Sequence, residues 1–244
     1  MKSTDTIADE GFAEFLDAPL SFSPLRPLPP LPPGSARRPV EVFPTWSEAQ
    51  RVAARHAAGP LPAIASLRSV GFLPLARAER IMEWYIDPPA SDAHALEGAY
   101  SALAEELIAL DRAVTAAPAA GGLGVRVTLV ATPEEPYADA ADLCDDVRQR
   151  GAIKLRAAAA DAPHPLLPNA AVDRLRTVHD VLGHAALGLG FDLQSEYAAW
   201  LYCRPLFSRA ARPAAFCELV GRVTAHVLTG TKPAFRADLP PAGL

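Results

Sequence analysis

The chain lacks most of the features that identify a protein at sight. Cysteine occurs three times, at Cys144, Cys203 and Cys217, widely spaced and in no CxxC pair. So sparse a set argues against a disulfide framework and suits a reducing compartment. Positive charge is not in excess either. The formal net charge is −5 and the pI is near 5.7, so there is no general electrostatic case for nucleic acid. No uninterrupted apolar run approaches the ~20 residues needed to cross a bilayer. Met1-Lys2-Ser3-Thr4-Asp5 leads into acidic residues and not into an apolar signal segment. These absences point to a soluble, cytoplasmic protein with a small-molecule substrate and neither a nucleic-acid nor a membrane partner.

Proline, in contrast, is abundant. Pro24-Leu25-Arg26-Pro27-Leu28-Pro29-Pro30-Leu31-Pro32-Pro33 has too few backbone donors for helix or sheet and reads as extended polyproline II. Such a segment can fill an SH3-like groove; the expectation here is a stiff leader or a cover over its own domain. Residues 1–40 are read as that leader and 41–244 as a single, mainly helical domain. Half of the 244 residues are hydrophobic, which is enough for a sizeable core.

Within the domain, Thr45-Trp46-Ser47-Glu48 reads as a capping box opening a helix to about Ala58. Helices follow over 75–86 and 92–115, the first with Ile81, Trp84 and Tyr85 on its apolar side. The pattern then changes. Residues 125–130 and 152–156 alternate apolar and polar, as half-buried strands do, and flank a helix over 138–150 that stops at Gly151. The rest is helical: 169–188 after an Asn169 cap, 191–203, and 213–229 opened by Pro213. On the last helix Phe216, Val223 and Val227 form the main apolar stripe, with Glu218 on the opposite side. The fold class is mainly α (α+β), a helical domain carrying a small sheet.

The reactive groups concentrate in one place. His179 and His184 lie five positions apart in Arg176-Thr177-Val178-His179-Asp180-Val181-Leu182-Gly183-His184, and Glu196 and Glu218 follow on later helices. Two imidazoles and a carboxylate suit iron(II) with positions left open for oxygen, and equally suit zinc-activated water. Val172, Leu175, Leu182 and Ala186 share a stripe with His179, which turns that ring inward. The spacing is awkward, however. Positions five apart on a regular helix differ by about 140° in direction. Both rings reach one ion only if the helix loosens or ends near Gly183; a π-type bulge would bring the two positions closer, and glycine makes such a distortion cheap. Without it, His184 would pair with Asp180 in an ordinary i,i+4 contact.

The segment His179-Asp180-Val181-Leu182-Gly183-His184 resembles the HDxxGH stretch of the aromatic amino acid hydroxylases. Phe191-Asp192-Leu193-Gln194-Ser195-Glu196 looks like the helix that follows it in those enzymes. A longer stretch, from Pro136-Tyr137 through His164-Pro165 to Trp200, also resembles uncharacterised bacterial and phage proteins with a VHDxxGHA motif. The hydroxylase likeness covers about residues 175–220. It implies a non-haem iron(II) monooxygenase in which His179, His184 and Glu218 hold the metal, O₂ is co-substrate and tetrahydropterin the reductant. The substrate would be small and aromatic or amino-acid-like.

Around this set, Glu196 and Asp180 are the candidates for proton transfer. His164, Tyr197, Trp200 and Arg176 are candidates for contacting substrate, the arginine through a forked pair with a carboxylate. Two alternatives remain: a zinc hydrolase with Glu196 or Glu218 as general base on metal-bound water, and an interaction protein working through the proline-rich leader.

Overall fold

A computed structural model describes residues 45–64, 67, 73–132 and 134–241. The proline-rich stretch 24–33 lies outside the described residues. The chain runs through α1 (Ser47–His56), α2 (Leu75–Ile86), α3 (Ala93–Thr115), β1 (Arg126–Val130), α4 (Ala140–Arg150) and β2 (Ala152–Arg156). It continues through α5 (Asn169–Val178), α6 (Leu193–Cys203), α7 (Arg212–Phe216) and α8 (Arg222–Thr229). The protein is thus mainly helical with a small sheet. Among the described residues no helix is long and apolar enough to cross a membrane.

The sheet is one β-α-β unit. β1 and β2 pair in parallel, with Arg126 opposite Ala152 and Val130 opposite Arg156. Parallel neighbours need a crossover, which α4 provides. That helix starts at Asp139, whose carboxylate accepts from the backbone of Ala141 and Asp142. It ends at Gly151, held at φ 58°, a left-handed conformation that glycine adopts without a steric cost. Ile153 and Leu155 of β2 are buried, whereas β1 presents Leu129 half-exposed. The core therefore lies on the side of β2, α4 and the later helices.

The long α3 packs along α5, and α2 packs on α8. Two π-helical turns break the α pattern: α5 runs directly into one at His179–Ala185, and α7 into another at Cys217–Gly221 that leads to α8. The two cap assignments read from the sequence are corrected. Trp46 is the residue before α1 and Pro168 the residue before α5, and neither helix start has a side-chain cap. The apolar stripe of the last helix is also different. Val227 is exposed and Val223 half-buried, while Ala214, Gly221, Thr224 and Ala225 are buried. The π-turn adds a residue to the spiral and rotates everything after it by about 100°, so a stripe drawn at 3.6 residues per turn points the wrong way.

Gly221 shows how close this packing is. A Cβ placed there would stand 2.9 Å from ring carbons of both Trp84 and Tyr85, on the helix that α8 packs against. Gly221→Ala is expected to cost about 1–3 kcal/mol through overpacking. Gly59→Ala, where an added Cβ meets nothing within 4 Å, should change stability by less than about 0.5 kcal/mol. Urea unfolding of both variants beside the parent checks the contrast.

Candidate metal centre

The turn His179–Ala185 decides the geometry of the site. Its π-helical winding brings residues five apart onto one face. The rings of His179 and His184 stand edge to face with centroids 4.7 Å apart. Their Nε2 atoms are 3.0 Å from each other. Gly183 sits behind them, where a Cβ would lie 3.2 Å from Cβ of Ala199 and 3.5 Å from Sγ of Cys203. The glycine thus lets α6 approach the turn closely. From α4, the Arg148 side chain donates to the carbonyl of Ala185 at the end of the turn. The thiol of Cys144 points at the His184 carbonyl.

The carboxylate that meets the two rings is that of Glu196, one turn into α6. Its Oε2 lies 2.9 Å from Nε2 of His179 and 3.3 Å from Nε2 of His184. Asp192 caps this helix, accepting from the backbone of Gln194 and Ser195 and so fixing where Glu196 emerges. Three donor atoms therefore form a triangle with edges of 2.9, 3.0 and 3.3 Å. An ion bound at 2.0–2.2 Å with ligands at right angles needs donors about 3.0 Å apart, so these residues fit a divalent metal. His179, Asp180 and His184 likewise offer ligand atoms within 4.8 Å of one another.

The hydrogen bonds fix the state of His184. Its Nδ1 faces the Leu189 carbonyl at 3.4 Å. A carbonyl only accepts, so Nδ1 carries a proton; Nε2 faces the triangle and offers a lone pair there once its own proton is displaced, and metal-binding histidines are commonly oriented this way. The buried Nδ1 of His179 has no such partner. Burial opposes charge on His184, but the Glu196 carboxylate outweighs it and pushes the pKa up to about 9. For Glu196, burial acts upward and His184 and His179 act downward; the rings win, and its carboxyl is held well below the usual range. Asp180 moves the other way: burial raises it despite both imidazoles.

Glu218, which the resemblance makes the third ligand, does not touch the rings. Its Oε1 accepts from the hydroxyl of Tyr100 at 2.8 Å and from Nε2 of His164 at 3.0 Å. His164 is locked in that role. Its Nδ1 accepts from the backbone N–H groups of Leu166 and Leu167, at 3.0 and 2.8 Å, so its only ring proton sits on Nε2. This buried histidine is a donor to Glu218 and not a ligand. Burial, followed by the Glu218 charge, raises Tyr100 well above the ordinary phenol range, so the hydroxyl keeps its proton to donate.

Glu218 nevertheless shares one cavity of roughly 150 Å³ with two corners of the triangle, His179 and Glu196. His179, Asp180, Glu196, Glu218, Arg176 and Arg222 border it, with Phe235 and aliphatic side chains completing the wall. Arg176 is tied back to the Arg156 carbonyl and to Asp161. Tyr197 and Trp200 do not border this cavity. Trp200 is core, stacked on Phe207 and edge-on to Phe216. Tyr100, Arg148, Arg222 and Phe235 escaped the sequence reading. Only Tyr100 left a signal: it falls in the buried stripe of α3 with Leu103, Leu107 and Leu110, where a hydroxyl needs a partner. In comparisons with known protein families, curated proteins and solved structures, nothing matches this chain.

The His184–Glu196 pair makes the metal-free protein sensitive to pH in both directions. His184 rises from 6.5 to about 9 on folding, so its contribution is complete below pH 6.5 and is lost as pH climbs through 9. Glu196 falls from 4.5, so its contribution is complete above pH 4.5 and is lost as pH drops below that value. Metal-free protein should have a stability plateau between these limits. His184→Gln should remove the decline on the alkaline side, as read by thermal unfolding across pH 4–10 in a chelator.

Proposed function

We propose that the chain is a non-haem iron(II)-dependent oxygenase that hydroxylates a small molecule held in the cavity beside His179. The observation that supports this is the convergence of two imidazole nitrogens and one carboxylate oxygen, of which the His179 and Glu196 groups border a cavity. His179, His184 and Glu196 would hold such an ion and leave other coordination positions for further ligands. Bound iron(II) would supply the chemistry that these side chains lack, the activation of O₂.

The chain's own groups do the rest. His184 presents Nε2 because Leu189 holds the proton of Nδ1. Glu196 contributes one negative charge, which offsets part of the charge of a divalent ion. Asp180, whose carboxyl is raised by burial, can hold a proton at its oxygen beside the rings. Val172, Leu175 and Leu219 give the cavity an apolar wall. Tyr100 and His164 fix Glu218 on the same cavity's border, so a second carboxylate stands ready near the first.

Metal content and oxygen uptake test the reading. Protein loaded anaerobically with Fe(II) should carry one equivalent and consume O₂ with tetrahydropterin as reductant. His179→Ala and His184→Ala should each lose the iron. Glu196→Gln should release iron more readily than Glu218→Gln, because only Glu196 meets the rings; the reverse order would make Glu218 the ligand. Stoichiometric zinc without oxygen uptake would replace this proposal with a zinc hydrolase.

A further inference from the structure

Most part-buried arginines of this fold spend their N–H groups on backbone carbonyls. Arg148 donates to Ala185, Arg176 to Arg156, Arg212 to Phe207 and Arg236 to Tyr85. Arg222 does not. It lies on the border of the cavity, one turn beyond Glu218. Its buried Nε has no hydrogen-bond partner. Among the described residues no carboxylate stands within ion-pair distance of it. The guanidinium instead rests 3.8 Å above the ring of Phe235. A guanidinium stacked by its face keeps its edge free for a forked pair. Leaving a partly desolvated cation without an acceptor is costly, and a structural arginine has no reason to bear that cost.

We propose that Arg222 is the anchor of an anion site in this cavity, which takes the carboxylate of a small organic acid. Two features define the acid. The volume of roughly 150 Å³ is close to that of cavities that admit one benzene-sized molecule, so the part of the acid that the cavity takes up is of about that size. A nucleotide, peptide or sugar chain would leave most of its bulk outside it. Asp180, Glu196 and Glu218 border the same space, so a dianion such as phosphate meets about twice the repulsion that a single carboxylate meets. With its charge on Arg222 and its body against Val172, Leu175 and Val223, the acid would lie in the cavity that His179 and Glu196 also border. As a statement about substrate, this rests on the proposed oxygenase reading; as a statement about binding, it stands without the metal.

Titration calorimetry on the full chain, with benzoate and its neutral isostere benzamide as probes, tests the site. Benzoate should bind one to one and at least ten times more tightly than benzamide. Arg222→Met, which keeps the stem of the side chain, should weaken benzoate at least ten-fold and leave benzamide unchanged. Equal binding of the two probes by the unmodified chain would overturn the proposal, and that comparison needs no variant to fold. So would full benzoate affinity in Arg222→Met. Inorganic phosphate competing as well as benzoate would overturn the assignment to a carboxylate. Iron content separates the two readings. Arg222→Met should keep its iron, and His179→Ala should lose iron while still preferring benzoate. If the parent takes up no iron yet still discriminates the probes, the oxygenase reading fails and the anion site stands.

Discussion

A regular α-helix points residues five apart about 140° away from each other, and two imidazoles at that spacing would serve two different surfaces. The wider winding at His179–Ala185 removes that divergence, and the candidate site follows from it. Such a turn is less favourable than the α-helix it interrupts, so something outside must hold it. Here the support comes from several directions. Arg148 grips the Ala185 carbonyl from the β-α-β unit, and Trp46 donates its N–H to the carbonyl of Ala186 from the start of α1. Ala199 and Cys203 close on Gly183 from α6. The small sheet and α4 are therefore more than an appendage, because they anchor the end of the turn that carries both rings.

Charge is arranged in two compartments of one cavity. On one side Glu196 is paired with two histidines whose nitrogens suit a metal equally well. On the other, Glu218 is satisfied by two neutral donors, the Tyr100 hydroxyl and the His164 ring. The two backbone N–H groups that bind Nδ1 of His164 keep that ring from changing roles. The two glutamates thus have different partners although they border the same space.

Much of the architecture was readable in the residues. Alternation in 152–156 marks a strand with those limits, Gly151 marks the end of α4, and the run 75–86 is a helix with those limits. The need for a loosened turn at Gly183 followed from the histidine spacing alone. What stayed hidden has physical causes. The Thr45–Glu48 box and Asn169 suggest caps, yet α1 and α5 begin after Trp46 and Pro168 without any side-chain bond. The second π-turn shifts the phase of the last helix, so Val223 and Val227 looked buried and Thr224 did not. Periodicity carries no record of a residue inserted into the spiral. The choice between Glu196 and Glu218 depended on how α6 and α7 sit against the first turn, which is a matter of tertiary packing. Arg222 and Phe235 meet only in the folded chain, thirteen positions apart and in no pattern.

The link between His184 and Glu196 is tied at nearly every step. His184 holds the Leu189 carbonyl through its ring and accepts the N–H groups of Gly188 and Leu189 at its own carbonyl. Phe191 packs edge-on to the same ring, and Asp192 starts the helix that bears the glutamate. This short connection behaves as a rigid bracket whose length is set by the two groups at its ends. Lengthening or shortening it by a single residue would misalign ring and carboxylate together, so among homologous chains its length should vary less than its composition.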